Sequence, residues 1–264
     1  MRKIAMISAI VICATVLWGA ARGAVAQVGT PNEVGINEKL GQQVSLDAVL
    51  RDESGNNITL RQLTGKPTIL TLNYFRCSGI CTPLLNALAD ALNQMKLEPG
   101  RDFQVITVSF DPTDTPEVAA QKRVNYLQEM NRPFPPASWR FLTGTAQATK
   151  QVCDSVGFQY RAVDYGYLHP GVIMVLTPQG KVSRYLYGIT FLPADLEMAV
   201  QEAAGGKTRP SISKVLAFCY NFDPSSRRYV LSVTRVAGTA ILIMAAGFVV
   251  YLVRGRSTSR REAR

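Results

Sequence analysis

The chain is short of histidine, with one residue, His169, in 264. That excludes centres built on two or more imidazoles, the two-cysteine, two-histidine zinc site among them. No internal repeat is visible, which excludes solenoid and propeller architectures. Charged side chains make up only 18% of the residues, and the net charge of +10 is unevenly placed. Arg2, Lys3 and Arg22 fall in the first 26 residues, and the tail from Arg254 holds five arginines against one acid, Glu262. The part between them therefore carries only about +3. A polyanion-binding domain is not indicated, and nucleic acid drops out as an expected partner.

What the ends do contain is apolar. Met1-Arg2-Lys3, the run from Ile4 to Trp18, and Ala24-Val25-Ala26 before Gln27 follow the three-part pattern of a secretory signal peptide, expected over residues 1–26. Cys13 lies in its apolar core, with no small residue ahead of it at a cleavage position, and is read as part of the leader. A second apolar run, Val236 to Val253, matches the roughly 18–20 residues that cross a bilayer. The basic tail, 254–264, points that end to the cytoplasm. The main domain is thus expected on the extracytoplasmic, periplasmic side of the cell membrane, held by a single C-terminal span. Between the two apolar segments lie a polar lead (27–39), one domain (40–207) and a juxtamembrane connector (208–235) broken by Pro210 and Pro224.

Inside the domain the hydrophobic period alternates. "LDAVLRDESGNNITL" reads as two strands around a turn at Ser54 to Asn57, and "PTILTLNYF" as a buried strand. "CTPLLNALADALNQM" reads as a helix with Leu84, Leu85, Leu88 and Leu92 on one stripe. "FQVITVSF" is a second buried strand, and Thr115-Pro116-Glu117 opens a helix as N-cap, N1 proline and first-turn acid. A strand "SWRFLTG", a helix "AQATKQVCDSV", a strand "FQYRAV", a hairpin "GVIMVLTPQGKVSRYLYG" and a helix "LPADLEMAVQEAA" follow. This order calls for an α/β fold, a central mixed sheet with helices on both faces. Such a sheet presents functional residues at its strand ends.

Cys77 and Cys81, in "NYFRCSGICTP", sit at such an end, where the first buried strand runs into its helix. The spacing can bring both sulfurs to one side, beside the unpaired N–H groups of the first helical turn, which favour the thiolate. A structural disulfide, a redox or nucleophilic pair and a metal site are all open to two such residues. A disulfide across so short a loop stabilises little, because the entropy it removes grows with loop length. A peroxidase would place a proline seven residues, and a threonine or serine three residues, before its cysteine; Leu70 and Tyr74 stand there instead. His169 precedes the strand "GVIMVLTP", and in a sheet of this order it can come to the same edge as Cys77. Two thiolates and one imidazole are one ligand short of a closed zinc site but suit copper, soft as Cu(I) and tolerant of nitrogen as Cu(II).

Three stretches together, "FRCSGICTP", "VSFDPTDTPE" and "HPGVIMVLTPQGKVSRYLYG", resemble the SCO/SenC family over about residues 40–204. The resemblance implies a thioredoxin-like fold and copper, Cu(I) or Cu(II), bound by Cys77, Cys81 and His169. It also implies assembly of cytochrome c oxidase, by delivering copper to the binuclear copper site of an oxidase subunit or by reducing a disulfide there so that its thiols are ready for metal. Either use needs the dithiol reduced, and so implies an unidentified thiol reductant. Asp111 and Pro112 match the family's Asp-Pro after the middle strand, and Asp111 is a candidate second-shell group. The chain departs from the family pattern in having Ser78 after the first cysteine, Thr82 before Pro83, Pro170 after the histidine and a C-terminal anchor. The alternative is a thiol-disulfide oxidoreductase without a metal, using Cys77 and Cys81 as its catalytic pair. Cys153, beside Val152 and Val156, is expected to be a small buried hydrophobe. Cys219 is expected to pack near the membrane, and Met174 and Met198 in the core.

Overall fold

The computed structural model describes residues 34–77 and 79–208, the segments 220–223 and 228–231, and positions 241, 244 and 245. The expected leader, Cys13, Ser78, Cys219, the basic tail and most of the expected membrane span lie outside them. Among the described residues no helix is long and apolar enough to cross a membrane.

In chain order the elements are β1 (Gly35–Ile36), β2 (Val49–Arg51), β3 (Asn57–Thr59), α1 (Leu60–Leu63), β4 (Thr68–Asn73), α2 (Cys81–Gln94), β5 (Gln104–Ser109) and α3 (Pro116–Gln128). They continue as β6 (Trp139–Gly144), α4 (Ala146–Ser155), β7 (Phe158–Gln159), β8 (Arg161–Val163), β9 (Gly166–Leu168), β10 (Val172–Leu176), β11 (Val182–Tyr187) and α5 (Pro193–Ala204). A short antiparallel pair, Tyr220–Asp223 with Arg228–Leu231, follows.

All six residues of β4 are buried, so both faces of that strand must be covered. Its neighbours form a seven-stranded mixed sheet in the order β11-β10-β4-β5-β6-β2-β3. The central β4, β5 and β6 run parallel, and β10 and β2 flank them antiparallel. Alternating side chains feed two cores, as the period of two requires. On one face Leu70, Leu72, Ile106, Val108 and Met174 meet Val152 of α4 and Val156 at its C-cap. On the other Ile69, Val105, Phe141, Ile173 and Val175 meet Leu84, Leu88 and Leu92 of α2 and Leu196 and Val200 of α5. The α2 stripe falls where periodicity placed it, and α3 has Thr115 as N-cap, Pro116 at its start and Glu117 in its first turn. Cys153 is a buried member of the first core, and burial pushes its thiol up to about 12.

Three local expectations are corrected. The single strand expected over "FQYRAV" is divided: β7 pairs with β1, whereas β8 turns back through β9 as a separate hairpin. Leu60, read as the end of a strand, instead starts a short helix over Leu60–Leu63, with a capping box between Thr59 and Gln62 at its N-terminus. Met174 is fully buried, but Met198 is 39% exposed. It stands off the stripe of Leu196, Ala199, Val200 and Ala203 that α5 buries.

Gly157 shows how closely the edge is packed. Its φ is +66°, and a Cβ there would lie 1.7 Å from the carbonyl oxygen of Asn37. Gly206 has the same φ with nothing within 4 Å. In urea unfolding, Gly206→Ala is expected to cost about 1–2 kcal/mol, the left-handed penalty alone. Gly157→Ala should cost a further 1–3 kcal/mol or so, as overpacking does. Equal losses would show that β1 yields freely.

Candidate metal centre

The C-terminal ends of the parallel strands β4 and β5 lie side by side, Asn73 opposite Ser109. This is the edge at which α/β sheets carry their sites. From β4 the chain loops through Phe75 and Arg76 to Cys77 and enters α2 at Cys81. Cys81 is 2% exposed, Cys77 is partly buried, and both are free thiols. The Gly79 N–H donates to Cys77 Sγ over 3.2 Å.

His169 follows β9 and stands just ahead of β10, the antiparallel neighbour of β4. That adjacency brings residues far apart in the chain together: His169 Nε2 lies 3.1 Å from Cys81 Sγ. Its other nitrogen, Nδ1, lies 3.1 Å from the Pro170 carbonyl oxygen. A carbonyl can only accept, so Nδ1 carries the proton and Nε2 turns its lone pair towards the sulfurs. Metal-binding histidines are commonly held in this way by an outer partner. Pro170, a departure from the family pattern, supplies that partner through its backbone. The donor atoms of Cys77, Cys81 and His169 all lie within 4.8 Å of one another, the only such group among the described residues. Two soft sulfurs and one imidazole nitrogen make a donor set that fits copper.

The two thiols are not equivalent. Burial works against the Cys77 thiolate, but hydrogen bonds from the Tyr74 hydroxyl, from Cys81 and from the Gly79 N–H outweigh it and bring its pKa below the ordinary thiol value. For Cys81 burial dominates, reinforced by neighbouring Cys77, and the thiol is raised. Burial likewise lowers His169, against the opposing pull of the Pro170 carbonyl. Neutral imidazole is the form that ligates.

An aromatic wall that sequence reasoning missed encloses the histidine. The Tyr74, Phe110 and Phe158 rings stand 5.9, 5.4 and 6.0 Å from the imidazole, centroid to centroid. Tyr167 meets Tyr74 edge-on at 5.3 Å, and Tyr160 stacks on Phe110 at 4.4 Å. Phe110 borders "DPTDTP" and Tyr74 lies three residues before Cys77, but only the fold shows that they share a wall. Asp111, the expected outer group, is buried and touches none of the three donors. Its Oδ1 accepts from the Thr113 N–H at 2.9 Å and from the Tyr167 hydroxyl at 3.4 Å. Asp114, which sequence reasoning passed over, accepts the Phe75 N–H in the cysteine loop at 2.6 Å.

The sheet and the cysteine pair at its strand end, with a histidine from the loop ahead of the neighbouring strand, define a thioredoxin-like domain with a two-sulfur, one-nitrogen site. The chain belongs to the SCO1/SenC family, whose profile matches residues 38–204. It is 28% identical over 137 residues to Protein SCO1 homolog 1, mitochondrial, of Arabidopsis thaliana, covering 50% of this chain and 38% of that one. The chain thus spans well under half the length of that relative. A crystal structure of a protein assigned to electron transfer, from Aquifex aeolicus VF5, matches with a TM-score of 0.57 at 29% identity, over 63% of this chain and 95% of that one. A SCO1/SenC family lipoprotein from Bacillus anthracis str. Ames shares the fold, with a TM-score of 0.53 at 19% identity over 64% and 99% of the two chains.

Proposed function

We propose that this protein binds copper through Cys77, Cys81 and His169 on the extracytoplasmic side of a membrane. It passes the ion to the binuclear copper site of a cytochrome c oxidase subunit. The convergence of the three donors within 4.8 Å carries the reading. Copper is the cargo here. The exposed edge of Cys77 suits it to be the first sulfur exchanged with an acceptor, while Cys81 and His169 hold the ion from inside. A C-terminal span at 236–253 would raise the effective concentration near a membrane-bound acceptor.

The difference between the two thiols favours a second use of the same pair. Cys77, the more acidic and accessible, attacks a target disulfide as thiolate and forms a mixed disulfide. Cys81 then displaces the target, its proton passing to the departing sulfur, so that the target leaves as a dithiol and the domain is left with a Cys77–Cys81 disulfide. A thiol reductant must then supply two electrons and two protons to restore it.

One variant separates the uses. His169→Ala in the full chain is expected to weaken copper binding more than about 100-fold, beyond the range of outer-shell changes, and to leave reduction of a model disulfide within a few-fold of the parent. Retained copper binding would defeat the three-donor reading and leave the oxidoreductase.

A further inference from the structure

We propose that the turn Asp111–Asp114 positions both halves of the site, with Asp114 as the residue that sets where Cys77 stands. This deepens the copper reading and rests on it for its metal readout. Asp114 has no exposed side-chain surface. Its Oδ2 accepts the Phe75 N–H and the Ser109 hydroxyl, each at 2.6 Å. Phe75 lies beyond the last paired residue of β4, two positions before Cys77. The last backbone bond between the two strand extensions is from the Phe110 N–H to the Asn73 carbonyl, at 2.9 Å. Where sheet pairing ends, the Asp114 carboxylate holds the cysteine loop.

The turn does not need Asp114 to close. Asp111 closes it, accepting the Thr113 N–H at 2.9 Å and the Thr113 hydroxyl at 2.8 Å, while its carbonyl accepts the Asp114 N–H at 3.2 Å. A buried carboxylate is costly unless its oxygens are satisfied. Asp114 Oδ1 has no hydrogen bond and only the half-exposed Arg76 guanidinium, at 3.8 Å. A carboxylate kept in so incomplete a shell, with its bonded oxygen on the cysteine loop, is placed for that loop. The second arm is Asp111, whose Oδ1 takes the Tyr167 hydroxyl two residues before His169. One four-residue turn thus grips the chain two residues ahead of Cys77 and two residues ahead of His169.

The test is made on the full chain with Asp114→Ala, Asp114→Asn and Tyr167→Phe, titrated with cupric and cuprous ions. Glu53→Gln, a buried carboxylate that bonds Arg140 and the Phe141 N–H and none of the three donors, is the structural control. Asp114→Ala is expected to raise the copper Kd about 10–100-fold, as lost outer partners do, and to move the thiolate-to-copper absorption band. Asp114→Asn should fall between, since its amide oxygen can still accept both the Phe75 N–H and the Ser109 hydroxyl but without the carboxylate charge, and Tyr167→Phe should act more weakly. Glu53→Gln should lower the Tm and move neither reading. If Asp114→Ala lowers the Tm but keeps the parental Kd and band, the carboxylate is merely structural and the proposal fails. Should the Ala variant not fold, the Asn variant is judged by the same two criteria. If the parent binds no copper, the copper reading falls. Positioning is then judged from the rate of Cys77 alkylation relative to Cys81: a changed ratio in the Asp114 variants supports it, and an unchanged ratio overturns it.

Discussion

Cys81→Ser is expected to weaken copper binding by more than about 100-fold and leave the domain folded. The buried sulfur sits 3.1 Å from His169 Nε2, on the first residue of α2. A serine hydroxyl there can donate to Nε2, so the imidazole keeps a partner and the core has little to rearrange. As a ligand, the hydroxyl is a hard, neutral oxygen where a soft thiolate stood, and Cu(I) discriminates strongly between them. The loss should therefore exceed the roughly 10–100-fold typical of outer-shell changes. Titration with Cu(I) against a competing chelator reads the Kd, and thermal unfolding reads the fold. A Kd within about tenfold of the parent would place copper elsewhere.

Glu53→Ala is expected to destabilise the domain by about 3–5 kcal/mol, as removal of one member of a buried ion pair does. Glu53 bonds to the Arg140 guanidinium at 2.8–3.1 Å, lies 3.3 Å from Arg123, and accepts the Phe141 N–H at 2.8 Å. Pairing of β2 with β6 stops at Arg51 opposite Thr143, so the carboxylate serves a β6 N–H that β2 has left behind. Without it, Arg140 keeps only Asp52, at 3.4 Å, and that N–H is stranded. Burial opposes its ionisation, but the bonds from Arg140 and Phe141 outweigh burial and hold the carboxyl below its ordinary range. The folded pKa is depressed, so this stabilisation is complete above the unfolded value, about 4.3. It is lost as the pH falls through the lower, folded value. Urea unfolding from pH 7 to pH 3 should show the parent losing stability in that window and Glu53→Ala losing less. Parallel pH profiles would remove Glu53 from the acid response.

The parts of this architecture legible in the sequence are those with a local cause. Buried strands such as Thr68–Asn73 carry few polar residues and no charge, α3 announces itself by Thr115-Pro116-Glu117, and the turn at Pro178-Gln179-Gly180 joins β10 to β11. Cys77, Cys81 and His169 stood out because thiols and imidazole are scarce here. The Met198 error was avoidable, since its position lies out of phase with the buried stripe of α5. The β8–β9 hairpin was less accessible: "RAVDYGYL" has alternation but buries little, with Arg161, Ala162 and Val163 all exposed. Asp114 and Tyr74 could not be found by local reasoning. Their importance arises from a carboxylate meeting an N–H 39 residues away and a ring meeting an imidazole across two strands. Spacing patterns do not encode such contacts.

The most direct test of the account is X-ray absorption at the copper edge on the full chain loaded with one equivalent of Cu(I). Two sulfur scatterers and one imidazole nitrogen are predicted, the nitrogen lost in His169→Ala and one sulfur lost in Cys81→Ser. A first shell of oxygen and nitrogen alone, or one unchanged by both substitutions, would contradict it.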